Sequence, residues 1–267
     1  MGLPNDDYIK GAAVECRQAA EKDFEEPVLA GHGDTDYARY MRTGALLSLQ
    51  RVPEEMAHRD ELMFQTVHQS TELWRVRCSE HTGTHLDAPV HWLSGKGLDD
   101  VASVPPRRLV GPAAVLDFSL QANADPDFLL QRHHVEAWEA EHGALPEDGW
   151  LLYRTGWDRR VGDPASFLNG GHTPGVAPDC ARWLAEHTPI LGIGVETVGT
   201  DAGQAASFAD QPFPCHWYFH QANKYGLTQL QRLAELPPQG ALVVAGPLPI
   251  VDGSGSPARV LALVDRP

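Results

Sequence analysis

The thirteen residues from Glu80 to Trp92 read E-H-T-G-T-H-L-D-A-P-V-H-W, and they constrain the chain more than any other stretch. Within the eleven residues from His81 to His91, three imidazoles, His81, His85 and His91, and one carboxylate, Asp87, are gathered around Gly83 and Pro89. His85 and Asp87 are two residues apart. In extended backbone such a pair projects from one face with Cα atoms roughly 6.6 Å apart, a gap that two side chains can close onto one ion. Gly83 admits the sharp turn that swings His81 in as a third ligand. Two neutral imidazoles and a carboxylate suit a divalent first-row metal, Zn²⁺ foremost, with Mn²⁺ and Fe²⁺ also suited. His91 lies four residues past Asp87 and beyond Pro89, so it is placed to carry a proton rather than to complete the ligand set. The motif therefore asks for an extended segment preceded by a turn.

A chain of 267 residues can bury a substantial core. Its formal net charge is -15, from 36 acidic against 21 basic residues. Phosphate binding needs clustered Lys and Arg, and no basic run of five occurs, so nucleic acid is not an expected partner. Cys16, Cys78, Cys180 and Cys215 are widely spaced without a C-x-x-C, which indicates neither a zinc knuckle nor a disulfide scaffold. No basic segment leads into an apolar core at the N-terminus, and no run of eighteen apolar residues occurs. We expect a cytoplasmic protein that does not enter a membrane, acts on a small molecule and forms a homo-oligomer.

Along the chain, residues 10–22 read as a short amphipathic helix. A helical pattern follows from Asp36, with Tyr37, Tyr40, Met41, Leu46, Leu47 and Leu49 on a partly apolar face ended by Pro53. Another helix starts near Asp60 and runs to Trp74, with Phe64 and His68 four apart on one face. After Trp92 the character is α/β. Apolar β-rich runs at 112–118, 149–155, 190–195, 241–246 and 259–265 read as buried strands, separated by helices at 133–142, 177–187 and 216–235. The alternation predicts a sheet covered by helices, with the Gly- and Pro-rich stretch 156–178 as a rim for the site.

H-T-G-T-H-L-D-A-P-V-H-W resembles the H-x-G-T-H-x-D-x-P-x-H signature of the metal-dependent cyclase-like hydrolases, of the kynurenine formamidase and isatin hydrolase type, and matches it at every fixed position. L-L-Y-R-T-G-W (151–157), T-P-G-V (173–176) and G-I-G-V-E-T-V-G-T-D (192–201) resemble that family's later landmarks, so the likeness covers roughly residues 75–265. It implies a swivelling β/β/α domain. It also implies further metal ligands, a His and a Glu twelve residues later. His216 in F-P-C-H-W matches the His, but Thr228 stands where the Glu is expected, so one tight ion is expected rather than a bridged pair. His220, four after His216, could supply a substitute ligand.

Residues 36–74 carry a second resemblance, to the N-terminal part of tryptophan 2,3-dioxygenase, in which Phe64 and His68 match residues lining an indole pocket. The helical haem domain of that family has no counterpart downstream. The division expected is a helical segment over 1–74 and a cyclase-like hydrolase domain over 75–267.

Together these readings predict a metal-dependent hydrolase of an amide, lactam or ester bond. A metal held by His81, His85, Asp87 and His216 would lower the pKa of its water to about 7, and the resulting hydroxide would attack a carbonyl while His91 shuttles the proton. Trp92, Trp157 and Trp217 would wall in a flat substrate such as N-formylkynurenine or isatin, which would place the activity in tryptophan catabolism. A metal-dependent cyclase or lyase and a non-catalytic metal-binding protein are the alternatives.

Overall fold

The apolar runs become strands because their two faces are buried in different places. In β2 (Val110–Asp117), Ala113 and Val115 point into one apolar cluster while Ala114 and Leu116 point into another; in β4 (Trp150–Arg154), Trp150 and Leu152 alternate with Leu151 and Tyr153 in the same way. Successive side chains of a strand face opposite ways, so a strand covered on both sides reads as an unbroken apolar run. One cluster fills the inside of the sheet. The other lies between the sheet and the helices.

These features belong to residues 80–265, which the computed structural model describes. The chain divides between Arg77 and Cys78 into two units, and the second is the one described. The helices expected over 10–22, 36–53 and 60–74, with Phe64 and His68, lie outside the described residues.

The strands are β1 (His85–Asp87), β2, β3 (Leu129–Leu130), β4, β5 (Gly175–Val176), β6 (Gly192–Val195), β7 (Tyr225–Thr228), β8 (Ala241–Pro247) and β9 (Gly255–Leu263). Seven of them close into a barrel in the order β1-β7-β6-β4-β2-β8-β9, with β1 pairing with both β7 and β9. β2, β4, β6 and β7 run parallel, while β1, β8 and β9 complete the wall antiparallel. Strands β3 and β5 form a separate parallel pair. The helices are α1 (Ser119–Ala124), α2 (Arg132–His142), α3 (Pro164–Leu168), α4 (Pro178–His187) and α5 (Pro214–Gln221). Helix α4 turns Cys180, Ala181, Leu184 and Ala185 onto the barrel, the spacing of one apolar stripe, and starts with Pro178 in its first turn.

The α/β class stands, but the sheet closes on itself instead of lying open under a layer of helices. Closure depends on β6, whose Gly192 and Gly194 leave the interior to their neighbours. A Cβ on Gly192 would meet the Tyr225 carbonyl oxygen at 2.2 Å, and one on Gly194 would meet Leu152 at 2.6 Å and Leu230 at 2.7 Å. The helix expected over 216–235 ends at Gln221. Asn223 takes a left-handed backbone, φ 54°, and after Lys224 the four residues Tyr225–Thr228 are drawn into the barrel as β7 between β6 and β1. Among the described residues no helix is long and apolar enough to cross a membrane.

Candidate metal centre and adjoining aromatic pocket

The barrel wall carries the motif at its seam. β1 is three residues long and fully buried, and pairing places His85 opposite Thr228 and Asp87 opposite Gly226. Gly83 takes the left-handed conformation, φ 60°, that the sharp turn before β1 requires. His81 folds back over the strand, so that Nδ1 of His81 lies 2.8 Å and Nε2 of His85 lies 3.2 Å from the same oxygen, Oδ1 of Asp87. One donor atom from each of the three residues falls within 4.8 Å of the others. Gly226 makes room for the carboxylate, since a Cβ there would approach Asp87 Oδ2 to 3.0 Å.

The electrostatics of this group ask for a cation. Without an ion, burial would raise the Asp87 carboxyl, yet protons on the His81 and His85 nitrogens that face it, and the charge of His216 and His85, hold it far below the usual carboxylate range; an ion would take the place of those protons. His85 Nδ1 lies 2.7 Å from the Gly83 carbonyl oxygen, an acceptor, so that nitrogen carries the proton. Nε2 then turns a lone pair toward Asp87, and two acceptors this close repel unless a proton or a metal ion lies among them. Burial opposes charge on His85, but its hydrogen bond to Asp87 and the charge of that carboxylate outweigh burial and raise its pKa. His81, His85 and Asp87 thus fit a divalent ion, as ligand chemistry and as charge.

His91 stacks on His81, with ring centroids 4.0 Å apart, but does not join the three-ligand group. Burial, partly offset by Asp87 and reinforced by the neighbouring imidazoles, pushes its pKa down to about 4, so the ring is neutral near pH 7. His216 also stands outside that group, with its ring 5.3 Å from that of His91. Its Nδ1 pairs with Asp201 at 2.5 Å, and Asp201 also accepts the backbone N–H groups of Cys215 and His216 at the start of α5. Although burial opposes it, the Asp201 hydrogen bond and charge raise the His216 pKa. His220 is buried beside both rings; its Nδ1 donates to the Lys224 carbonyl oxygen and its Nε2 has no hydrogen-bond partner.

Thr228 is fully buried, and its hydroxyl lies 2.9 and 3.1 Å from the two ring nitrogens of His85. It supports a ligand and adds no charge. Glu196 is committed elsewhere, with Oε2 accepting from the Thr155 amide and hydroxyl and from the Trp157 amide.

A cavity of about 450 Å³ opens beside His91, lined by Trp92, Phe213, Trp217, Leu93, Lys96 and Gln211 among others. Trp92 and Trp217 line this cavity. Trp157 does not: it is buried in the core, its Nε1 donates to the Phe167 carbonyl oxygen, and Arg160 covers its ring. No residue of 156–178 lines this cavity, so that stretch is not its rim. Asp201, Phe213 and Lys96 were not anticipated as functional, although Asp201 ends the G-I-G-V-E-T-V-G-T-D run and Phe213 opens F-P-C-H-W.

A barrel seam that gathers two imidazoles and a buried carboxylate, next to an aromatic pocket, has the donor set of a candidate divalent-metal site. A protein-family profile described as "Putative cyclase" matches residues 34–202. The isatin hydrolase of Roseibium aggregatum is 46% identical over 199 residues, 72% of this chain and 74% of the relative. The kynurenine formamidase of Salinibacter ruber is 30% identical over 206 residues, 74% of this chain and 82% of the relative. A crystal structure of an isatin hydrolase bound to the product analogue thioisatinate superposes with a TM-score of 0.68 at 45% identity, covering 71% of this chain and 74% of that one. The chain belongs to the cyclase family and stands among its hydrolases. The dioxygenase resemblance gains no support, and the family match, beginning at residue 34, runs through the whole stretch that carries it.

Proposed function

We propose that this hydrolase opens the amide bond of a small, flat, aromatic lactam of the isatin type, with the formamide of N-formylkynurenine as the second reading. The observation that carries it is the aromatic cavity of about 450 Å³ that shares His91 with the surroundings of the His81, His85 and Asp87 group. Trp92, Phe213 and Trp217 offer ring faces on which a planar substrate stacks. A divalent ion held by His81, His85 and Asp87, Zn²⁺ foremost and Mn²⁺ as the alternative, supplies the carbonyl polarisation and the acidification of water that hydrolysis near neutral pH requires. His91, neutral at that pH, accepts the proton that water loses as its oxygen adds to the carbonyl carbon, and returns it to the nitrogen as the C–N bond breaks. Lys96 complements the carboxylate that lactam opening releases. The identity to an isatin hydrolase, higher than to a kynurenine formamidase, supports the lactam over the formamide.

The test is turnover of isatin, N-formylkynurenine and simple lactones by metal-free protein reloaded with Zn²⁺ or Mn²⁺. Isatin is expected to be the preferred substrate. Faster turnover of N-formylkynurenine would move the assignment to the formamide, and no turnover of any of them by fully loaded protein defeats both readings.

A further inference from the structure

We infer that Ser254, backed by Glu80, dictates which nitrogen of His81 faces the ion, which makes this hairpin residue a positioning residue of the metal centre. The inference rests on the metal-centre reading given above. Ser254 lies in the turn between β8 and β9, 173 residues from His81, and its Oγ is 2.9 Å from His81 Nε2. The same Oγ is 2.7 Å from Glu80 Oε2, which also accepts the backbone N–H groups of Ser254 at 2.7 Å and of Gly255 at 3.2 Å.

An ionised carboxylate only accepts, and a serine hydroxyl has a single proton to give. The Ser254 proton therefore goes to Glu80, and the lone pairs of Oγ are left for His81. Nε2 must bring its own proton to that contact. Nδ1, 2.8 Å from Asp87 Oδ1, is then the nitrogen that gives up its proton and turns its lone pair to the ion when one is bound. The ring has little freedom to turn out of this arrangement. A Cβ on Gly255 would approach His81 Cε1 to 2.3 Å and Nδ1 to 2.7 Å, so the hairpin backbone packs directly on the imidazole.

The hairpin thus supplies to His81 what the Gly83 carbonyl supplies to His85, a fixed acceptor for the N–H that does not face the ion. In the case of His81 the acceptor is a hydroxyl polarised by a carboxylate. Such partners orient a ligating imidazole and raise its basicity, and their loss typically weakens metal binding about 10- to 100-fold. Both hairpin residues lie beyond the part of the chain that the family profile matches, residues 34–202.

The experiment measures Zn²⁺ affinity of the metal-free full chain by competition with a chromophoric chelator, with thermal melting to confirm that each variant is folded. Ser254→Ala should weaken Zn²⁺ binding by about 10- to 100-fold, Ser254→Thr should recover most of the loss, and Glu80→Gln, which keeps an acceptor oxygen without the charge, should fall between. Unchanged affinity in folded Ser254→Ala, or an equal loss in the Ala and Thr variants, overturns the inference. His85→Ala separates the two levels of the argument. If it binds Zn²⁺ as tightly as the unaltered chain, the ion is not held at the motif and the metal-centre reading falls with the inference. If it loses the ion while Ser254→Ala keeps it, only the inference falls.

Discussion

Asp87 is almost completely buried and yet stays ionised, because two imidazoles and the charge around them outweigh its loss of water. His91 is governed by the opposite balance: burial dominates and keeps it neutral at pH 7. The two residues therefore divide the work between holding charge and moving it. We expect His91→Ala to retain the metal and to lose about 10² to 10⁴ in kcat, the usual contribution of a positioned acid-base group. Elemental analysis alongside steady-state kinetics checks this, and loss of the ion would make His91 a ligand instead. The gathering of His81, His85 and Asp87 was legible because the three lie within seven residues. Those of Asp201 and Ser254 were not, because neither residue has meaning at its site until the fold delivers it from a distance.

Among the elements, α5 and β7 are joined by a short connection that also ties down α4. Lys224 is buried and its Nζ donates to the carbonyl oxygens of Leu184 and Thr188, closing the C-terminal end of that helix. Burial, and then the charge of Arg108, push its pKa from 10.5 down to about 8. Below about pH 8 the folded and unfolded chains both hold the proton, so Lys224 gives stability no slope. Between about 8 and the unfolded value near 10.4 the unfolded chain binds more protons, and stability rises with pH. The unaltered chain should therefore gain on Lys224→Met in urea midpoint as pH is raised from about 8 to about 10. Parallel midpoint curves across that range would show that the amine titrates alike in both states. Sequence patterning located β2, β4, β6, β8 and β9 because their apolar runs are long, but read Y-G-L-T as helix. That segment is a strand through the partners on either side of it, not through its own propensity.

For the whole molecule, the barrel assembles one group of three metal donors among the described residues. Holding two divalent ions roughly 3.5 to 4 Å apart requires bridging anions, and Asp87 can supply only one such bridge. The side chain opposite His85 on β7 is the uncharged Thr228, and Glu196 is turned into the 155–157 loop. We predict one tightly bound ion per chain after dialysis, with Thr228→Glu raising affinity for a second and His216→Ala leaving the first in place. Two ions retained per unaltered chain, measured by elemental analysis, would show that another side chain completes a pair.

The grouping of His81, His85 and Asp87, the α/β class and the family were readable from the order of residues, because donor spacing, strand period and helix spacing each act over a few neighbours in the chain. The closing of the sheet through β1 and β7 was not, since neither short strand exists apart from its pairing. Nor was the pocket wall: Trp157 lies beside the motifs in sequence as Trp217 does, yet the fold buries the first in the core and turns the second to the cavity. The acceptor facing His85 Nδ1 is local, the Gly83 carbonyl two residues back, whereas the one facing His81 Nε2 is Ser254, 173 residues away, which only long-range packing delivers.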